Sequence, residues 1–307
     1  MRTLLLWLAR STWFRDRIPR LPFARRAVRR FMPGEDMEAA LDAAARFRSE
    51  QIGVLFTRLG ENVTRDEDAD ATLGHYVALL DACAARGLRA ELSVKLTQLG
   101  LDLDEDRTFE RVARLADRSA RNAGVLWMDM EGSAYTDRTI SLYERLVGAG
   151  HANLGVCLQA YLRRTAVDVQ RLLPLRPAIR LVKGAYDEPP SIAFRTKRAV
   201  DANYAALAMA MLEACAAGQQ VRIALGTHDV ELVEQLAGHA TALGLARDAF
   251  EVNMLYGIRL DQQRRLAREG YVVRDLVAYG PAWYAWYMRR LAERPANVVF
   301  ALRQVLP

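Results

Sequence analysis

Residues 179–229 read IRLVKGAYDEPPSIAFRTKRAVDANYAALAMAMLEACAAGQQVRIALGTHD. The segment opens on a short apolar run, Ile179-Arg180-Leu181-Val182, and closes on another, Arg222-Ile223-Ala224-Leu225. Between them, residues 198–217 are rich in Ala, Leu and Met and carry a helical period. Two strand-length runs joined by a helix-length crossover call for parallel pairing, because a parallel partner cannot be reached through a tight turn.

Working outward, the same alternation runs from residue 37 to near the C-terminus. Six further runs join the two above: Gly53-Val54-Leu55-Phe56, Glu91-Leu92-Ser93-Val94, Leu126-Trp127-Met128, Gly155-Val156-Cys157-Leu158, Phe250-Glu251-Val252-Asn253-Met254 and Tyr271-Val272-Val273-Arg274. Helical stretches at 75–86, 107–121, 137–149, 165–173, 229–243 and 260–268 separate them. Eight such units with no Gly/Ser/Pro linker predict one closed α/β barrel of the (β/α)8 TIM type, with an open doubly wound sheet as the main alternative. A chain of 307 residues, 51% hydrophobic, is long enough for a single large core of this kind.

Composition narrows the function classes. Cys83, Cys157 and Cys215 are far apart in apolar contexts, which suggests neither a disulfide framework nor a zinc site and points to a reducing, cytoplasmic setting. No apolar run reaches the roughly 20 residues of a membrane span, and no secretory cleavage signal follows the opening segment. The net charge of +6 is concentrated at the start, where residues 1–30 hold nine arginines against Asp16, interleaved with Leu4, Leu5, Leu6, Trp7, Trp13, Phe14 and Phe23. Residues 1–36 are therefore expected to form a basic amphipathic helical arm. It either lies on anionic lipid at the inner face of the cytoplasmic membrane or packs on the barrel of residues 37–307. The balanced charge elsewhere, and the lack of a recognised motif, argue against nucleic acid.

In such a barrel the chemistry collects at the C-terminal ends of the strands. Lys95, Asp129, Glu131, Gln159, Lys183, Tyr186, Thr227, His228, Asp229 and Tyr256 all follow predicted strands, and their convergence points to an active site. No GxGxxG or GxxxxGK[ST] element occurs, so a Rossmann or P-loop nucleotide site has no support. Gly184 in VKGAY allows close backbone approach beside a lysine, which suits a phosphate or a flavin edge. The four histidines are too dispersed for a metal constellation, and only His228 is placed for ligand contact.

Past the eighth run, YGPAWYAWYMRRLAERP at 279–295 reads as a helix entered at Pro281 and left at Pro295. Arg289 and Arg290 would project about 100° apart, and Glu293 lies at a spacing that reaches both. Guanidinium groups are planar forks that stay charged, so an adjacent pair suits a carboxylate. The aromatic residues Trp283, Tyr284, Trp286 and Tyr287 suggest that this helix covers something apolar.

Read together, these motifs resemble the proline dehydrogenase family, in its short bacterial monofunctional form. The resemblance rests on SVKLTQLGLD (93–102), DMEGS (129–133), LQAY (158–161), IRLVKGAYDEP (179–189), AFRTKRAVDANY (193–204), THD (227–229), FEVNMLYGIR (250–259) and YMRRLAERPAN (287–297). It implies a distorted barrel with the final helix over its mouth, FAD as cofactor, and oxidation of L-proline to 1-pyrroline-5-carboxylate. In that reading a hydride passes from proline C5 to flavin N5, after the ring nitrogen loses a proton, and electrons leave to a membrane quinone. Lys95, Arg289 and Arg290 then bind the substrate carboxylate, with Glu293 orienting the arginines. Tyr186 is a pocket wall, Asp129 supports Lys95, and Leu181 forms part of the floor. Arg180 and Gln159 touch the isoalloxazine around N5 and O2. Val182, Lys183, Gly184, Lys197, Thr227 and His228 line the ring, the ribityl chain and the pyrophosphate.

The chain departs from the family pattern at Leu276, where a tyrosine is usual in the turn after strand eight, and at Trp286, where a second tyrosine is usual. Asn253 shortens a side chain beneath the flavin, and Arg195 and Thr196 alter the phosphate segment. The departures at Leu276 and Trp286 reshape the pocket, so a substituted proline or another small secondary-amine amino acid is the alternative substrate. A Schiff-base aldolase using Lys95 or Lys183 is the rival chemistry. A flavin-binding, membrane-associated regulator without turnover is the non-enzymatic reading.

Overall fold

The computed structural model describes residues 11–18, 21, 24, 26 and 28–293. Among the described residues, helices α1 (Thr12–Arg17) and α2 (Met37–Ser49) precede the sheet. Strand and helix then alternate as β1 (Gly53–Arg58), α3 (Asp66–Ala85), β2 (Ala90–Val94), α4 (Glu105–Ala120), β3 (Leu126–Met128), α5 (Thr136–Gly148), β4 (Leu154–Gln159) and α6 (Thr165–Leu172). The second half follows as β5 (Ala178–Val182), α7 (Lys197–Ala216), β6 (Arg222–Gly226), α8 (Val230–Ala242), β7 (Phe250–Leu255), α9 (Leu260–Arg268), β8 (Val272–Tyr279) and α10 (Trp283–Glu293). Each strand is parallel to its sequence neighbour, and β8 pairs with β1 from Gly53↔Arg274 to Arg58↔Tyr279, so the sheet closes into a barrel. The doubly wound alternative is excluded by that closure.

The strands begin within one residue of the runs read from sequence, but β8 continues to Tyr279 instead of stopping at Arg274. Arg274 closes the run read from sequence, and the charged Asp275 after it breaks the apolar pattern. In the fold Arg274 is drawn inward by Glu251, while Asp275 is fully buried among the helices.

Alternation along each strand sorts side chains into two layers. Val54, Phe56, Leu92, Val94, Ile179, Leu181, Ile223, Leu225, Val252 and Val273 face outward and join the helices in one continuous apolar core. Leu55, Trp127, Ala178, Ala224 and Leu276 pack inside the barrel. The N-terminal end of the barrel is filled by charge. Arg222 Nη2 donates to Glu91 Oε1 and Glu251 Oε2, each at 2.8 Å, and Arg274 Nε donates to Glu251 Oε2 at 2.8 Å.

A smaller apolar core sits over the opposite end. Ala24, Val28, Phe31 and Met32 pack against Trp283, Tyr284, Tyr287 and Leu291 of α10, and Trp283 Nε1 donates to Glu35 Oε1 at 3.1 Å. Phe14 and Ile18 join this cluster, whereas Trp13 is 53% exposed with Arg17 stacked over its ring at 4.4 Å. Residues 1–10 of the expected arm lie outside the described residues. Among the described residues no helix is long and apolar enough to cross a membrane.

Candidate active site

The C-terminal ends of the strands gather the polar residues singled out from the sequence. Lys95, directly after β2, is 8% exposed, and the turn behind it is tied to the turn after β3. There Glu131 accepts from the Thr97 backbone N–H at 3.1 Å and from Thr97 Oγ1 at 2.6 Å. Burial holds the Glu131 carboxyl above its ordinary range, against the pull of Thr97 and Lys95.

Arg180, the third residue of β5, is the most constrained cation in the barrel interior. Its Nε donates to Cys157 Sγ at 2.9 Å and its Nη2 to Ser93 Oγ at 2.6 Å. Nη2 also pairs with the Asp129 carboxylate, which itself accepts from Ser93 Oγ at 2.7 Å. Asp129 therefore serves Arg180 directly. Beside it, Gln159 Nε2 donates to the Met130 and Glu131 carbonyls at 3.3 and 3.2 Å, which fixes the amide. Arg180 Nη1 and Gln159 Oε1 are both buried with no protein hydrogen-bond partner. Buried donors and acceptors are rarely left so, since each costs about 1–3 kcal/mol when unsatisfied. A ligand that accepts from Arg180 and donates to Gln159 would complete both, and an isoalloxazine edge offers those groups.

Leu181, expected in the pocket floor, points the other way. Its neighbours Arg180 and Val182 belong to the barrel interior, so Leu181 packs outward beneath α7, whose Tyr204 hydroxyl donates to the Leu181 carbonyl at 3.1 Å. Leu276 is likewise displaced from its expected place: it sits within β8 rather than in the turn beyond, paired with Leu55 and Leu255 and packed in the interior cluster. Asn253 turns its Nδ2 toward Glu251 Oε1 at 3.3 Å, and its Oδ1 is buried with no partner.

The phosphate-side residues form a second group. Lys183 Nζ donates to Asp201 Oδ1 at 2.5 Å and to Asp229 Oδ2 at 3.0 Å, and Lys197 also pairs with Asp201. Burial works against the Asp201 and Asp229 carboxylates, yet Lys183 and Lys197 hold both below their ordinary values. Asp229 also caps α8 by accepting from the Leu232 N–H. The buried Thr227 accepts from the Asp229 N–H at 3.1 Å, which places Thr227 and His228 at the turn into that helix. Gly184 adopts φ 108°, and a Cβ there would stand 2.1 Å from the Tyr161 ring, so only glycine lets the backbone pass. Val182, at the end of β5, is seated against Gly226, whose own Cβ would meet it at 2.7 Å.

Helix α10 brings the arginine pair to the mouth. Arg289 forms a bidentate pair with Glu61, Nη1–Oε1 at 2.9 Å and Nη2–Oε2 at 3.0 Å, and its Cζ lies 5.8 Å from the Tyr186 ring centroid. Glu61 belongs to the loop after β1 and Tyr186 to the loop after β5, so the helix spans both. Burial raises the Tyr186 phenol above its ordinary value, with Arg289 opposing. Arg290 lies over the ring of Trp286, which is itself only 8% exposed. The Glu293 side chain, expected to hold the arginines, lies outside the described residues, and the described carboxylate on Arg289 is that of Glu61. Sequence reading missed Glu61 because LGENVTR looks like an ordinary polar loop; its one signal is position, an acid just past a strand end.

A cavity of about 370 Å³ between α3 and α4 is lined by Asp70, Leu73, Gly74, Val77, Arg107 and Arg111. Its buried Arg111 is already engaged by Asp66, Asp70 and the Leu99 carbonyl, so the chemistry favours the mouth. Among the described residues no group of His, Cys, Asp and Glu is placed to hold a metal ion.

Comparison with known proteins bears on this site. The family model described as Proline dehydrogenase matches residues 40–303. Proline dehydrogenase of Deinococcus radiodurans is 36% identical over 281 residues, spanning 90% of this chain and 89% of that protein. Proline dehydrogenase 1 of Bacillus subtilis is 34% identical over 282 residues, spanning 92% of this chain and 91% of that protein. Among solved structures, proline utilization A of Bdellovibrio bacteriovorus, inactivated by N-propargylglycine, superposes with a TM-score of 0.80 at 22% identity over 88% of this chain. A mutant proline utilization A of Bradyrhizobium japonicum superposes with a TM-score of 0.74 at 19% identity. The chain spans 33% and 31% of those longer proteins, a likeness that speaks to the fold.

Proposed function

The chain belongs to the proline dehydrogenase family, oxidoreductases acting on a CH–NH group, and from that premise we propose that it oxidises L-proline to 1-pyrroline-5-carboxylate with FAD at the barrel mouth. The observation that carries the cofactor is the pair of buried, unpartnered atoms Arg180 Nη1 and Gln159 Oε1 on the neighbouring strands β5 and β4. FAD, when bound, supplies the two-electron acceptor that takes a hydride from proline C5 at flavin N5.

The chain supplies position and charge. Lys95, Arg289 and Arg290 hold the substrate carboxylate and so decide which ring carbon faces the cofactor. Tyr186 and Trp286 wall the pocket, and α10 closes over the substrate and excludes water. Asp129 fixes Arg180 against the flavin edge. Glu61 takes the orienting place on Arg289 that the sequence assigned to Glu293. Val182 and Gly184 let the cofactor lie against β5. Lys183, Lys197, Thr227 and His228 face its phosphate side, and Asn253 lies beneath it. A quinone-type acceptor then reoxidises the enzyme. The basic segment of residues 1–30 brings it to an anionic membrane surface at the cytoplasmic side, and the exposed Trp13–Arg17 stack fits that contact.

A second reading, the same chemistry on a substituted proline, is favoured by Leu276, which puts an aliphatic side chain into the barrel interior. The aldolase reading loses Lys183, whose Nζ is engaged by two carboxylates. The test is turnover: FAD-loaded protein is given L-proline, 4-substituted prolines and N-methylated amino acids with a soluble quinone, and pyrroline product is trapped as a coloured adduct. Product from proline supports the first reading, and product from substituted prolines alone supports the second. A colourless protein that is trapped by borohydride on a carbonyl substrate refutes both.

A further inference from the structure

The buried charges at the N-terminal end of the barrel have no place in the mechanism above, yet they lead to it through one side chain. Trp127 of β3 is fully buried inside the barrel. Its Nε1–H donates to Glu91 Oε2 at 2.6 Å, and Glu91 is held by Arg222 at 2.8 Å. The Cζ atoms of Arg222 and Arg180 both lie 5.2 Å from the centroid of its ring. Space for the indole is built in by small neighbours: Ala178 and Ala224 pack against it, and a Cβ on Gly155 of β4 would stand 2.4 Å from its Cε3.

For Arg180 the consequence is geometric. Its Nε and Nη2 edges are anchored by Cys157, Ser93 and Asp129, and its Cζ lies over the indole ring, 5.2 Å from the centroid. A planar fork fixed on those edges above the ring has one edge left, Nη1, which is the buried donor without a protein partner. Remove the indole and the guanidinium can drop toward Glu91 and Glu251, away from the mouth.

We propose that Trp127, held by the Glu91–Arg222 pair and seated by Gly155, is a positioning residue that props Arg180 against the cofactor and thereby raises the cofactor's reduction potential. The proposal rests on the FAD reading above. A cation held near the flavin favours the reduced, more negative state. A tenfold weakening of that preference, on losing the support that holds Arg180 in place, is about 30 mV for a two-electron couple.

The experiment compares FAD-loaded wild type with Trp127→Phe, Trp127→Leu, Gly155→Ala and Arg180→Met, reading midpoint potential, FAD dissociation constant and Tm. Trp127→Phe keeps a ring under Arg180 and is expected to hold the wild-type potential even where Tm falls. Trp127→Leu is expected to lower the potential by about 30 mV. Gly155→Ala, which displaces the ring by a single methyl, gives the same direction and answers the question if Trp127→Leu does not fold. In Arg180→Met, adding Trp127→Leu is expected to change the potential no further. Wild-type potentials in both Trp127→Leu and Gly155→Ala overturn the proposal alone. A wild type that takes up no FAD overturns the parent reading and this proposal with it.

Discussion

Asp275 offers a sharp test of how the fold handles charge. It lies on β8 between Val273 and Val277, is 0% exposed, and both carboxylate oxygens lack a hydrogen-bond partner. Gln263 of α9 stands beside it, spends its Nε2 on the Leu255 and Ile258 carbonyls, and leaves its Oε1 without a donor. Burial pushes the Asp275 carboxyl well above its ordinary range, with Gln263 pulling weakly the other way. The neutral acid can donate its O–H to Gln263 Oε1; the carboxylate cannot. Because the folded value is raised, the folded chain binds one more proton than the unfolded chain at every pH between the two values. Stability from this group is thus complete below about pH 4 and falls as pH rises, by about 1.4 kcal/mol per unit. Asp275→Asn supplies a donor that does not titrate. We expect the variant to overtake wild type above about pH 5, with the gap widening by about 2 °C in Tm for each pH unit until the folded value is reached. Thermal unfolding followed by circular dichroism at pH 5, 6, 7 and 8 measures this. Parallel curves for the two proteins, or a variant less stable throughout, show that burial does not hold the Asp275 carboxyl neutral.

Three further outcomes follow from the site. Arg289→Met removes a bidentate carboxylate partner, so KM for proline should rise about tenfold to a hundredfold with a smaller change in kcat; steady-state kinetics that move only kcat contradict the carboxylate assignment. Gly184→Ala forces a Cβ into the Tyr161 ring at a positive φ, and the purified protein should carry much less flavin at nearly unchanged helix content, read from its 280 to 450 nm absorbance. Glu251→Gln leaves Arg222 and Arg274 short of a buried carboxylate, for a loss of about 2–4 kcal/mol, below that of a fully desolvated pair because both arginines keep some solvent. Opposing burial, those arginines lower the Glu251 value, so its contribution is present above about pH 4.5 and is lost as pH falls; a variant gap that grows in acid contradicts this.

The barrel was legible because parallel strands buried on both sides leave short apolar runs that surface helices do not. Lys95 and Gln159 were legible for a related reason: polar residues at or next to strand ends face the mouth, whereas Arg180, in the middle of β5, was legible only through the family resemblance. Two misreadings share a physical cause, namely that a partner distant in sequence decides the outcome. Leu276 falls in a turn past the eighth run until pairing with β1 and β7 carries β8 on to Tyr279. Glu61 resembles loop solvent exposure until Arg289 arrives from 228 positions away. Leu181 could have been placed correctly, since strand alternation forbids it the face that Arg180 occupies. The indole of Trp127 read only as core, and its contacts with Arg180 and Arg222 emerged once β3, β5 and β6 were folded into one barrel.

The most direct test of the account is anaerobic titration of the FAD-loaded protein with L-proline, followed at the flavin absorbance band. Proline is expected to bleach the flavin stoichiometrically, in competition with small carboxylates, and not to do so in an Arg289→Met, Arg290→Met double variant. A yellow protein whose absorbance is unchanged by proline, and by every cyclic or N-substituted amino acid tried, contradicts it.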